Sequence, residues 1–168
     1  DQRPTNQTRC FTPSRIIITM KTLFTSKQEA REAIWDCLKE NRLAAFPFPP
    51  HGRIPNFVGA KEAALRVFDE PEWRDAKIIK VNPDSPQKYV RAEALRRNII
   101  VYVPTPRLQN GFLRLDPKFI PADAITDASH MARCDLWAQP VPLKELPQVD
   151  AIVTGSVTVT KSGKRAGK

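Results

Sequence analysis

The stretch Asn98-Ile99-Ile100-Val101-Tyr102-Val103-Pro104-Thr105-Pro106-Arg107 runs β-branched and aromatic residues together between an asparagine and a proline-rich loop. Without polar alternation, Ile99–Val103 predicts a strand buried on both faces, as in the middle of a parallel sheet. Asn98 suits the left-handed conformation that ends a helix. Upstream, Ser85-Pro86 reads as the N-cap and first residue of that helix, which turns Tyr89, Val90, Ala94 and Leu95 inward. Lys77–Val81, before the helix, is a second strand. Downstream, Pro104–Arg107 forms the loop at the strand's carboxyl end, where open parallel sheets bind ligands. Phe112–Leu115 reads as a hairpin or edge strand. Residues 116–147 are broken by prolines, with one short helix near Ala122–Met131. Residues 149–154 read as a buried strand and Val157–Val159 as one more short one. Alternating strands and helices predict an α/β fold, a mostly parallel open sheet flanked by helices.

The first half of the chain follows the same grammar. Ser26-Lys27-Gln28-Glu29 is a capping box, with Ser26 as N-cap and Glu29 reaching back to it. Ala30, Ala33, Ile34, Cys37 and Leu38 recur at helical spacing as a core-facing stripe. Lys27 and Arg31 lie one turn apart on its border, placed to line the rim of a cleft, although spacing alone favours two solvated surface charges. Lys27 stands in the first turn, where the helix dipole disfavours a cation by a few tenths of a kcal/mol and a bound phosphate would reverse that. Leu43–Phe46 is a short strand. Asn56 is suited to cap a second helix over Gly59–Phe68, with Ala60, Ala64, Leu65 and Phe68 inward. Trp35, Trp73 and Trp137 read as packing residues.

Residues 1–19 lack periodicity and mix Thr, Ser, Asn, Pro and Arg with one acid. They read as a disordered leader: the end of an organelle transit peptide, or sequence upstream of a start at Met20. The ordered domain is then 20–168, in the cytoplasm, or in a mitochondrion or plastid if the leader is a transit peptide. The chain begins at Asp1 and stops inside a basic loop at Lys168, so a site built from that loop is expected to be incomplete at its C-terminal side.

Composition narrows the class. No apolar run nears the roughly 18 residues that cross a bilayer, so no membrane partner is expected. Cys10, Cys37 and Cys134 are odd in number and lack CxxC spacing, the pattern of reduced thiols. His51 and His130 have no ligand neighbours at zinc spacing, and no metal-ligating residue is proposed. The net charge of +9 is uneven: residues 1–19 carry +2 and 161–168 carry +4. That pattern predicts one anion-binding end rather than a protein coated for nucleic acid. GxxxxGK[ST] and GxGxxG are both absent, and no serine has an evident histidine partner, which removes P-loop, dinucleotide and triad chemistry. What remains is Lys161-Ser162-Gly163-Lys164-Arg165-Ala166-Gly167-Lys168, four cations without an acid. Its glycines let backbone amides approach an anion that the cations neutralise, so this is a plausible seat for a phosphate.

From about Ser26 to Lys168 the chain resembles the 5-formyltetrahydrofolate cyclo-ligase family, nearest its divergent methenyltetrahydrofolate synthetase domain-containing branch. The carrying segments are Lys27–Trp35, Gly52–Ala60, Val81–Gln87, Val103–Leu108, Asp150–Val157 and Gly163–Lys168. The resemblance implies the NagB/RpiA/CoA-transferase-like form of the α/β fold. It implies an ATP site made of a Lys and an Arg four residues apart on the first helix, matched by Lys27 and Arg31. The site is completed by a closing glycine-rich basic loop, matched at its start by Gly163, Arg165, Gly167 and Lys168. Arg165 is the residue assigned a catalytic role, and Asn56, Phe57 and Arg107 are assigned to the substrate. The implied reaction is ring closure of 5-formyltetrahydrofolate to 5,10-methenyltetrahydrofolate with ATP and Mg²⁺. ATP phosphorylates the formyl oxygen, N10 attacks and phosphate leaves. This chain departs from the family's active members in three places. It ends before the segment bearing their metal-associated Asp, it reads Thr158-Val159-Thr160 where they carry an Asp, and it replaces their folate-contacting segments. The alternative is a divergent nucleotide-binding or RNA-associated member without that activity.

Overall fold

The computed structural model describes residues 24–168, together with the backbone of Thr8–Cys10 and Ile18–Met20. The leader expected at 1–19 otherwise lies outside the described residues. In chain order the strands are β1 (Thr8–Cys10), β2 (Ile18–Met20), β3 (Ala44–Ala45), β4 (Asn56–Phe57), β5 (Ile78–Val81), β6 (Ile100–Pro104), β7 (Phe112–Leu115), β8 (Gln139–Val141), β9 (Ala151–Val153), β10 (Thr158–Val159) and β11 (Arg165–Ala166). The α-helices are α1 (Lys27–Glu40), α2 (Ala60–Val67), α3 (Lys88–Arg96) and α4 (Ile125–Ala128). Two compact units result: residues 60–155, and residues 1–59 with 156–168.

The unit 60–155 is a five-stranded mixed sheet in the order β8-β7-β6-β5-β9, with helices packed against it. This is the expected α/β class. β6 is the middle strand, and Val101, Tyr102 and Val103 are all buried. β5 pairs in parallel with β6 and with β9, forming a three-stranded parallel core. Parallel neighbours need a crossover, and α3 supplies it between β5 and β6. β7 and β8 extend the sheet antiparallel from β6. Phe112–Leu115 is therefore the second arm of a hairpin and not an edge strand. Gly111 turns that hairpin at φ +66°; a Cβ there would lie 2.3 Å from the Val141 carbonyl oxygen. The core joins Ile79, Val81, Leu95, Val101, Val103 and Leu115 with Phe68, Val90, Ile125 and Cys134.

Several local readings are corrected. Ser85 lies inside a 3₁₀ turn over Ser85–Gln87 whose N-cap position is Asp84, without a side-chain cap. Leu65 is exposed, because the inward face of α2 is set by Ala60 and Ala64, with Phe68 after its last turn. β9 is an edge strand, so Ile152 is exposed and the expected burial over 149–154 is only partial. β8 went unread, since Gln139-Pro140-Val141 carries no β-branched run. Asn98 does adopt the left-handed conformation, at φ +62°.

Leu115→Ala is expected to cost about 2–5 kcal/mol, the usual range for emptying a buried leucine site. Leu65→Ala should cost less than about 1 kcal/mol, and urea unfolding of both separates the two cases. Asp150 accepts backbone N–H bonds from Lys77 (2.8 Å) and Ile78 (2.9 Å), which hold its pKa below the ordinary carboxylate value. A lowered folded-state pKa gives stability that is full above the unfolded value, about 3.9, and lost as pH falls through the folded one. Asp150→Asn is therefore expected to flatten the acid limb of the stability–pH curve below about pH 4.

Candidate functional site

In the unit formed by 1–59 and 156–168, α1 is started by local chemistry. Ser26 Oγ accepts from the Glu29 N–H at 3.0 Å. The Glu29 carboxylate accepts from Thr25 N and Thr25 Oγ1, both at 2.7 Å, so it reaches one residue past the expected Ser26. Along the helix Ala30 and Trp35 are buried, whereas Ala33, Ile34, Cys37 and Leu38 are half-buried. Trp35 anchors the small core, packing with Ile54 and Val157 beside Ile34. Its indole N–H donates to the Arg53 carbonyl at 3.0 Å, which satisfies the one polar atom of a buried ring.

The C-terminal segment is a β-ribbon. β10 and β11 pair antiparallel, Thr158 opposite Ala166 and Val159 opposite Arg165. Thr160 N donates to Lys164 O (2.8 Å), Thr160 Oγ1 accepts from Lys164 N (3.0 Å), and Gly163 turns the chain at φ +81°. Beside the packing of Val157 on Trp35, a hydrogen bond joins this segment to α1: Arg31 Nε donates to the Gly167 carbonyl at 2.8 Å. Arg31 Nη1 also donates to Gln28 Oε1 at 3.3 Å. Lys27 lies one turn before Arg31 on the same helix face and is exposed. The fold thus brings Arg31 and Gly167 together, with Lys27 on the same helix as Arg31.

The other loop residues are distributed along the ribbon. Strand alternation buries Ala166 and leaves Arg165 on the outer face, where its Nη1 donates to Ser156 Oγ at 3.3 Å. Gly163 sits at the ribbon's tip, about 13 Å of extended chain from Gly167. Lys168 is exposed.

Asn56 does not cap α2. It lies in β4 opposite Ala45, is 4% exposed, and its Nδ2 donates to the Phe46 carbonyl at 2.9 Å. The N-cap residue stands immediately before the first helical residue, whereas α2 begins at Ala60, four residues after Asn56, and the Asn56 amide is already committed to the Phe46 carbonyl. Phe57 is half-buried opposite Ala44. Arg107 belongs to the unit 60–155, in the loop leaving β6. It is exposed at φ +53°, followed by Leu108 at φ +56°. Two adjacent side-chain-bearing residues in the left-handed region are a backbone cost of the kind that clusters at ligand loops. Among the described residues no group of three or more His, Cys, Asp or Glu side chains could hold a metal ion. Cys134 is buried, and burial pushes its thiol pKa up, so it is a packing residue rather than a nucleophile.

A five-stranded mixed sheet flanked by helices fits the α/β fold of a cyclo-ligase, and the chain belongs to the 5-formyltetrahydrofolate cyclo-ligase family, which residues 24–168 match. It is similar to the methenyltetrahydrofolate synthase domain-containing protein of Bos taurus, 40% identical over 145 residues, covering 85% of this chain and 38% of that protein. Proteins of the same name from Mus musculus (39% identical, 85% and 39% covered) and Homo sapiens (35%, 85% and 38%) are also similar. The chain spans less than two-fifths of the length of these relatives.

Arg31→Met removes the donor to Gly167 and should loosen the ribbon by about 1 kcal/mol. Amide hydrogen exchange is expected to quicken across 157–167 while the amides of β6 keep their protection.

Proposed function

We propose that this chain binds Mg-ATP between the start of α1 and the C-terminal ribbon, and takes part in ATP-dependent ring closure of 5-formyltetrahydrofolate to 5,10-methenyltetrahydrofolate. The supporting observation is the Arg31 Nε–Gly167 carbonyl bond, which joins the helix carrying Lys27 to the glycine-bearing basic segment. Among the described residues the Arg31 Nη2 has no hydrogen-bond partner, so it keeps donors for a phosphate. Lys27 adds a point charge in the first turn, where the helix dipole also favours an anion. Family membership supports ATP and a reduced folate as the substrates. RNA, the other partner the resemblance suggested, finds no support in the comparisons and is not proposed.

Phosphoryl transfer to a formyl oxygen asks a protein mainly for positioning and charge neutralisation. Lys27 and Arg31 would hold the phosphates. Arg165 would act from the exposed outer face of the ribbon. Mg²⁺ would arrive bound to the nucleotide, since a hard cation of this size keeps phosphate and water ligands and needs no dedicated protein cage. Arg107, exposed in the loop leaving β6, remains proposed for the folate.

The test uses the natural gene product. Mg-ATP binding measured by calorimetry is expected to weaken at least tenfold in Lys27→Ala and Arg31→Ala. Unchanged affinity in both defeats the nucleotide reading. Turnover is followed as the ATP-dependent absorbance change on adding 5-formyltetrahydrofolate. ATP binding without turnover would favour a nucleotide-binding member that has lost the ring closure.

A further inference from the structure

Arg91 is 1% exposed, a guanidinium inside the core of the unit 60–155. Its Nε donates to the Ser129 carbonyl at 2.9 Å. Its Nη1 donates to the Asn82 carbonyl at 2.5 Å and to the Asp84 carbonyl at 3.3 Å. Burial lowers its pKa to about 10, opposed by the nearby charge of Asp84, so it stays cationic at neutral pH. Charged side chains are buried only where their hydrogen bonds are met, and here backbone carbonyls from two loops meet them.

What Arg91 grips is the loop leaving the carboxyl end of β5. Asn82 is fixed from two further sides: its N–H donates to the Val153 carbonyl at 3.1 Å, and its Oδ1 accepts from Lys80 Nζ at 2.7 Å. Strands β5, β6 and β9 are parallel, so this loop opens at the same sheet edge as the Arg107 loop. That edge is where sheets of this kind receive small molecules. A hydrophobic residue at 91 would fill the same space without holding the loop. A buried arginine that ties the carbonyls of this edge loop to the carbonyl of Ser129 is therefore a device for the loop's shape.

We infer that Arg91 is a positioning residue that sets the Asn82–Asp84 loop to bind 5-formyltetrahydrofolate at the carboxyl edge of this unit's sheet. The inference rests on the proposed function for the identity of the substrate, and on the structure alone for the clasp.

The test compares the natural gene product with Arg91→Lys, Arg91→Met and Pro83→Gly, the last loosening the loop from its exposed side. Hydrogen exchange across 82–87 is expected to quicken at least tenfold in all three, with the amides of β6 unchanged. In the ring-closure assay KM for 5-formyltetrahydrofolate should rise at least fivefold while KM for Mg-ATP stays constant, a split that general destabilisation would not produce. Unchanged loop exchange in the Arg91 variants overturns the clasp. Faster exchange with both KM values unchanged, or moved together, overturns its link to substrate. Should Arg91→Met fail to fold, Arg91→Lys and Pro83→Gly carry the comparison. If the unaltered protein shows no turnover, the proposed function is what fails; equilibrium binding of 5-formyltetrahydrofolate then decides the substrate link, and absence of binding overturns it.

Discussion

Parallel strands cannot be joined by a tight turn, and that constraint organises the unit 60–155. β5 and β6 lie side by side and point the same way, so the chain must return along the length of the sheet between them. α3 makes the return, and it is packed so closely that Val90, Arg91, Ala92, Ala94 and Leu95 are all buried. A helix enclosed to that degree has little room for a charge. The one it takes, Arg91, is aimed at the carbonyls of the loop where the crossover begins. The crossover and the clasp on its own starting loop are thus one construction.

The smaller unit relies on a different economy. Among the described residues its core cluster is Trp35, Ile54 and Val157 with Ile34 beside them. These residues come from α1, from the turn after His51 and from the C-terminal segment, so they hold distant parts of the sequence together. Apolar packing brings the ribbon to the helix, and Arg31 then fixes the contact with a hydrogen bond across 136 residues of chain. The same arginine is thereby committed partly to structure. A guanidinium can do both, because its five donors fan out in a plane and one carbonyl uses only one of them.

Much of the fold was legible from local chemistry. Ile99–Val103 announced the middle strand, Asn98 the end of the helix before it, and Ser26 the start of α1. Each is a property of a few neighbouring residues. The misreadings share a cause of another kind. Asn56 has the chemistry of a cap, but pairing with Ala45 drew its backbone into a strand. Leu65 sits at helical spacing from the inward residues, yet the neighbouring elements left that side of α2 uncovered. Of the candidate site, the pair Lys27 and Arg31 was singled out by family resemblance, since helical spacing alone favoured solvated surface charges. The i, i+4 relation of Arg91 to Leu95 was in the sequence as well, but a lone arginine beside an apolar stripe usually snorkels to solvent.

The sequence by itself determined the periodicities, the caps and the glycine-punctuated run of cations, because these depend on residues within one or two turns of each other. Tertiary structure alone decided which residue of that run reaches α1. Strand alternation turned Arg165 outward while Ala166 went in, and helix geometry set Arg31 against Gly167. It also decided that Arg91 is covered, since burial of a charge depends on the loops that close over it, and those come from elsewhere in the chain.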